Sequence, residues 1–284
     1  MPNLRDLRKR IRTVENIKRI TSALEKIAAV RLFRAKGALF NARPYARALD
    51  CVVADLLNSQ PEAVHPLIQK NLTGDALLIV VTSDRGFCGG FNGRIIQTAE
   101  EFAAKVGRGN VRFIVFGKKG TEYLRRHGYN ILASHINLPA AFGFAYADEV
   151  GARVIDLYGS GEISEAHLAI TEFVSIGRHV PRVTRLLPIV TKPEPGRSYM
   201  NYSYEPEPAS TIRAILPRLV KTQIWTGLME SVVSEHAERM FMMQRATKNT
   251  DDVIAGLTLV MNKARQAMIT RELTDIVGAA ETMV

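Results

Sequence analysis

The stretch RGFCGGFNG at residues 85–93 has the composition of a chemical site. It follows an apolar run and precedes a helical pattern, where an α/β protein cradles phosphate on backbone N–H groups. Its spacing is neither G-x-G-x-x-G nor the P-loop pattern, and no Lys-Ser/Thr pair follows. The first reading is a tight structural loop whose glycines permit positive φ or close packing; a phosphate cradle is the alternative. Cys88 has no histidine near it in sequence, so it reads as a small packed thiol rather than a nucleophile. Asp84 and Arg85 read as a pair that ties the loop. Asp251 and Asp252 open no metal pattern and read as solvent-facing, and His236 reads as a packed histidine. Six His and two Cys lack metal-ligand spacing, so no metal site is expected. A basic stripe, Arg5, Arg8, Lys9, Arg10, Arg12, Lys18 and Arg19, lacks aromatic residues for base stacking until Phe33. It reads either as a solvated helix face or as a surface for an acidic partner, a protein in preference to nucleic acid.

These residues must be carried by two long helices and a domain between them. Met229, Val233, His236, Met240, Met243, Thr247, Thr250, Ile254, Leu257, Met261, Ala264 and Met268 are spaced alternately by four and three residues. That is the 3.5-residue repeat of a coiled coil. A helix over residues 211–277 would be about 100 Å long, with Pro217 kinking its first turns. Methionine dominates the seam and packs adaptably, so the seam reads as one that works against changing surroundings. At the other end, Leu4, Leu7, Ile11 and Val14 begin a second seam, which a local slip carries on through Ile17, Ile20, Leu24 and Ile27. This helix is expected to bend or thin near Gly37, to resume over 49–57 and to end at Gln60-Pro61.

The middle alternates strands (76–82, 111–116, 129–134) with helices (94–105, 118–126, 148–158). Two neighbouring antiparallel strands, 168–176 and 182–190, complete an open α/β sheet of about five strands. A proline-bearing linker over 192–208 returns the chain to the long helix. The fold class is therefore α/β: an antiparallel two-helix coiled coil flanking a central open, Rossmann-like α/β domain. The boundaries are 1–58 for the N-terminal shaft helix, 74–192 for the central domain and 209–284 for the C-terminal shaft helix. Residues near Ile20 and Leu24 are expected to pack against the seam around Met240 and Met243.

Composition narrows the function. The formal charge is +10, and residues 1–57 carry 13 Lys/Arg against 5 Asp/Glu, so the basicity sits in the first helix. The longest strongly apolar run is strand-sized, so no transmembrane span is expected. The charged start MPNLRDLRKRIR has no apolar segment behind it, so no secretory signal is expected. Two distant cysteines suit a reducing compartment.

Three blocks together resemble the gamma subunit of F-type ATP synthase over essentially the whole chain. They are LRDLRKRIRTVENIKRITSALEKIAAVRLFRAK with Arg43-Pro44-Tyr45, then TSDRGFCGGFN, then SEHAERMFMMQRATKNTDDVIAGLTLVMNKARQAMITRELTDIVGAA. The resemblance implies a non-catalytic central-stalk rotor. It would couple ion flow through the membrane sector to ATP synthesis or hydrolysis by turning inside a ring of three alpha and three beta subunits. The implied partners are those subunits, the epsilon subunit and the c-ring, with no nucleic acid and no direct membrane span. The implied place is the cytoplasmic face of the bacterial plasma membrane. Residue by residue, Arg265 and Gln266 match the segment that catches a beta-subunit loop. Arg239 matches a basic position facing an acidic lever of beta, and Leu24 falls on the helix face near it. Met240, Met243, Ile254, Leu257, Met261 and Met268 form the shaft seam, and residues 269–284 would turn in an apolar collar. Lys26, Arg31 and Gly278-Ala279-Ala280 depart from the family pattern. From the residues alone, a basic coiled-coil nucleic-acid binder and a nucleotide-binding enzyme on the α/β domain stay open as rivals.

Overall fold

The computed structural model describes residues 3–60, 62–137, 143–190 and 207–281. It divides into two units: residues 29–238, and residues 1–28 together with 239–284. Most of the linker expected over 192–208 lies outside the described residues.

In the larger unit, apolar runs form the inner strands. The elements are β1 Asp75–Val81, α2 Phe91–Val106, β2 Val111–Phe116, α3 Lys118–Arg126, β3 Asn130–His135, α4 Phe144–Gly159, β4 Ile163–Ser175 and β5 Arg178–Leu187. With α1 Leu4–Ser59 and α5 Pro208–Glu281 they complete the element order. The sheet order is β3-β2-β1-β4-β5; the first four strands are parallel and β5 is antiparallel to β4. The chain builds outward from β1 to β3, then returns to β4 on the other side of β1. Right-handed crossovers thus put α2 and α3 on one face and α4 on the other. On the first face Ile95, Ala99, Ala103 and Leu124 close over Leu78, Val80, Phe113 and Val115. The other face also takes α5, and a Cβ on Gly227 would lie 2.6 Å from the Leu168 side chain, so only glycine lets that helix approach so closely.

Strand lengths differ, and this has consequences. β4 has 13 residues and β1 has 7; their pairing ends at Val80↔Ala169. Beyond that point β4 has no strand on its β1 side. Side chains of the two long helices supply the missing ladder. Ser231 Oγ accepts from the Thr171 N–H at 3.1 Å, and Ser234 Oγ donates to the Thr171 carbonyl at 3.1 Å. Two residues on, Glu230 Oε2 accepts from the Phe173 N–H at 2.8 Å and Arg43 Nη2 donates to the Phe173 carbonyl at 2.8 Å. Buried backbone groups must be paired, which explains why Glu230, Ser231 and Ser234 are buried in an otherwise apolar helix segment. Pro181, opposite Thr171, sits in an edge strand, where its missing N–H costs no ladder bond.

α1 runs without a break through Gly37 and Pro44, so the expected thinning and resumption of the helix is not observed. Leu39, Ala42, Ala46, Leu49, Val53 and Leu56 are all buried and keep the 3-4 spacing across Pro44. Burial of that stripe outweighs the single donor that proline removes.

In the smaller unit, α1 and α5 form an antiparallel pair. Thr247 Oγ1 donates to Thr21 Oγ1 at 2.9 Å, and Lys18 Nζ lies 2.5 Å from Asp251 Oδ1. Partner numbers on α5 fall as those on α1 rise. The α1 seam continues from Val14 through the half-buried Lys18, Thr21 and Glu25 to the buried Ala28, with no slip. Ile17, Ile20 and Ile27 face outward, at 46%, 60% and 50% exposure. The sequence reading of the slip is corrected accordingly: hydrophobicity marked the outer face there.

Candidate functional site

The loop after β1 is held by its own polar groups. Asn92 Oδ1 accepts from the Ser83 N–H at 2.9 Å, and Ser83 Oγ donates its one hydrogen to the Arg85 carbonyl at 2.7 Å. Asn92 Nδ2 lies 2.8 Å from Ser83 Oγ and 3.3 Å from the Cys88 sulfur. Cys88 is 2% exposed and packed, as its setting in sequence suggested. Asp84 does not serve chiefly as a partner for Arg85: its Oδ1 accepts from the Lys118 N–H at 2.9 Å and caps the start of α3. Gly117, just before that helix, has φ 94, and a Cβ there would overlap the Thr82 backbone. The arrangement is that of a structural turn. Phe87, with φ 64, stands out of it at 71% exposure. Among the described residues no group of three metal-ligating side chains comes together.

The remaining site residues lie on the coiled-coil unit. Met243 is buried; Met240, Ile254, Leu257 and Met261 are half-buried, as a two-stranded seam requires, and Met268 is 45% exposed. Leu24 and Arg239 are half-buried, while Arg265 and Gln266 are exposed. Thr21 lies level with Thr247, so Leu24 lies level with Met243 and Gln244 rather than with Met240. Ile20 points away from the seam altogether. The four partner-contact residues do not form one cluster. Arg239 and Arg265 are separated by 26 helical positions, about 39 Å. Counting back from the Lys18–Asp251 pair, Arg265 lies level with Leu4, where α1 begins. Past that level α5 has no companion from α1, and Ile269, Leu273, Ile276 and Val277 are 46%, 58%, 66% and 57% exposed.

Exposed apolar residues are therefore the main feature of this unit. Ile17, Ile20 and Ile27 on α1 and Phe241, Val253, Leu259 and Val260 on α5 add to those beyond Arg265. Large apolar side chains exposed at this many positions are what a surrounding partner would cover. Basic groups accompany it: Arg5, Arg8, Lys9, Arg10, Arg12 and Arg19 are all exposed. His236 is buried, as expected, and Asp251 pairs with Lys18 instead of merely facing solvent.

Two features escaped the sequence reading. One is the set Arg43, Glu230, Ser231 and Ser234 packed on β4; its signal was a glutamate and two serines among the buried positions of α5. The other is a cluster at the start of β5, beside the β4–β5 turn. His179 Nδ1 lies 3.2 Å from Glu238 Oε2, and Arg94 Nη2 lies 3.3 Å from Glu238 Oε1. The ring is 3% exposed and its Nε2 has no partner among the described residues. Burial lowers the His179 pKa below its ordinary value, against the opposing pull of Glu238.

The family model described as ATP synthase matches residues 3–283. A chain from Pelotomaculum thermopropionicum called ATP synthase gamma chain is 36% identical over 284 residues, covering all of both chains. One of the same name from Chlorobaculum tepidum is 38% identical over 292 residues, covering 100% of this chain and 99% of that one. Among solved structures, the central stalk and c-ring of the Tetrahymena thermophila mitochondrial ATP synthase aligns with TM-score 0.64 at 22% identity, covering 80% of this chain and 99% of that one. The Euglena gracilis mitochondrial ATP synthase, described as OSCP/F1/c-ring, aligns with TM-score 0.68 at 16% identity, covering 99% and 94%.

Proposed function

The chain belongs to the ATP synthase gamma-chain family, and from that premise we propose how its two units divide the work of a central-stalk rotor. It is a non-catalytic subunit, a component of the stalk. The coiled-coil unit is the shaft that turns inside a ring of three alpha and three beta subunits. The α/β unit is the foot, where epsilon and the c-ring bind. No helix among the described residues is long and apolar enough to cross a membrane, so attachment to the membrane sector runs through those partners. The complex sits on the cytoplasmic face of the bacterial plasma membrane; the two gamma-chain relatives, from Pelotomaculum thermopropionicum and Chlorobaculum tepidum, support that placement.

The single observation that carries this reading is the outward apolar surface of the shaft, which continues along α5 past the end of α1. A collar that surrounds the shaft buries it, and the exposed basic groups of α1 suit an acidic collar wall. One asymmetric shaft makes three otherwise equivalent beta sites inequivalent by differential contact, and turning it cycles each through different nucleotide affinities. Arg265 offers a planar fork to a carboxylate-bearing loop, with Gln266 beside it, while Arg239 and Leu24 face the lever of beta at a second level. Co-expression with the cognate alpha and beta chains tests this. The expected product is a complex with one copy of this chain per three of each partner. A chain that ignores both partners and instead binds DNA with steep salt dependence would overturn the reading.

A further inference from the structure

We propose that Arg43 and Glu230 are positioning residues for energy coupling: they form the clamp that stops the two shaft helices from slipping on the α/β unit under torque. The inference rests on the rotor reading and concerns a set of side chains wholly within the larger unit. Glu230 Oε1 accepts from Arg43 Nε at 3.0 Å and Nη2 at 2.8 Å, and its Oε2 lies 2.9 Å from the same Nη2. The second carboxylate oxygen also accepts from the Phe173 N–H, while Arg43 Nη2 donates to the Phe173 carbonyl. One residue of α1, one of α5 and one of β4 are thus joined by five hydrogen bonds around a pair whose side chains are 22% and 7% exposed.

Two exposed hydrogen bonds, Arg218 Nε to Tyr45 Oη at 2.6 Å and Gln223 Nε2 to Asp50 Oδ1 at 3.0 Å, tie α1 to α5 but do not reach the sheet, and the buried contacts of α1 in this unit are largely apolar. Leu39, Ala42, Ala46, Leu49 and Val53 resist separation of the helix from its neighbours, but dispersion and burial are non-directional and resist sliding poorly. Directional bonds resist sliding. Moving either helix by one residue, about 1.5 Å and 100° of turn, breaks the geometry at Glu230 completely. The clamp also bonds to the backbone of the longest strand, so load passes into the sheet rather than into a flexible side chain. Ser231 and Ser234 add two bonds from α5 alone, whereas the Arg43–Glu230 pair joins both helices to the strand.

A structural role and a load-bearing role separate in one variant pair. Replacing a buried ion pair by apolar residues of similar volume often leaves stability unchanged, but here it also strands the Phe173 N–H and carbonyl, so Glu230→Gln, which keeps an acceptor for that N–H, is the primary variant. The doubly substituted chain, Arg43→Met with Glu230→Leu, is to be assembled with alpha and beta and compared with Arg43→Lys and Glu230→Gln. ATP-driven rotation is then followed with a small probe of low drag and with a large bead of high drag. The expected result is low-drag rotation within about twofold of wild type for every variant that assembles. Under high drag, rotation should stall or slip, because each charge-assisted bond removed raises the slip rate roughly tenfold or more. Glu230→Gln keeps shape and neutral hydrogen bonds, so it provides the reading if the double variant fails to assemble. High-drag rotation equal to wild type in either variant overturns the clamp and leaves the rotor reading standing. Absence of rotation with the unsubstituted chain overturns the rotor reading itself.

Discussion

Ser231→Ala isolates the claim that α5 stands in for a missing strand. The Thr171 N–H lies where β1 has already ended, in a residue 1% exposed, and Ser231 Oγ at 3.1 Å accepts from it. Deleting the hydroxyl leaves a buried donor without an acceptor, which costs about 1–3 kcal/mol. That multiplies the local opening equilibrium of β4 roughly 5- to 150-fold. Ser234→Ala leaves a carbonyl short of one bond and should cost less, because carbonyls tolerate under-satisfaction better. Amide hydrogen exchange resolved over residues 168–174 provides the assay, with Ser231→Thr as the control that keeps the hydroxyl. Exchange in Ser231→Ala should accelerate at Thr171 and its neighbours and stay unchanged in β2, two strands away. Wild-type exchange at Thr171 in that variant would refute the reasoning.

Other outcomes follow from the same contacts. Cysteines at 21 and 247 should cross-link readily in the assembled complex, and a pair at 20 and 240 should not; the reverse would break the register. Below about pH 6.5 the larger unit should lose stability: the folded pKa of His179 is depressed, so the unfolded chain binds the extra proton first, and His179→Gln should flatten the loss in a thermal melt taken against pH. In the free chain, amides beyond residue 266 should exchange fast for want of a partner helix, whereas full protection there would show another cover. Arg265→Ala should lower ATP turnover of a fully assembled complex with the α/β unit still folded, and Arg265→Lys should rescue only in part because an ammonium lacks the bidentate fork. Unchanged turnover and torque with Arg265 and Gln266 both replaced by alanine would remove the proposed catch.

β1 and β2 were legible because each is an apolar run, and they fall within a residue of their sequence positions, whereas β4 and β5 begin five and four residues before the expected 168 and 182 because polar residues interrupt their first halves. The α5 seam was legible because its period held for more than five heptads. The α1 seam was not, because Lys18, Thr21 and Glu25 occupy inward positions while Ile17, Ile20 and Ile27 lie outside. A reader of hydrophobicity follows the isoleucines; the structure shows that on a shaft the outer face is also apolar. The clamp was illegible because it depends on β4 outrunning β1, and relative strand length is a property of the assembled sheet. The basic and polar residues proposed to meet beta could be placed by resemblance, but their separation into two levels needed the antiparallel register from Lys18–Asp251 and Thr21–Thr247.

Direct observation of rotation tests the central claim. The complex of this chain with alpha and beta would be fixed to a surface through the ring, and a probe attached through a cysteine replacing the exposed Arg125. The exposed Cys51 would be changed to serine to prevent a second attachment. The account predicts unidirectional turning that requires ATP and dwells three times per turn, once for each beta site. A ring that hydrolyses ATP at full rate while the attached chain stays still would contradict it.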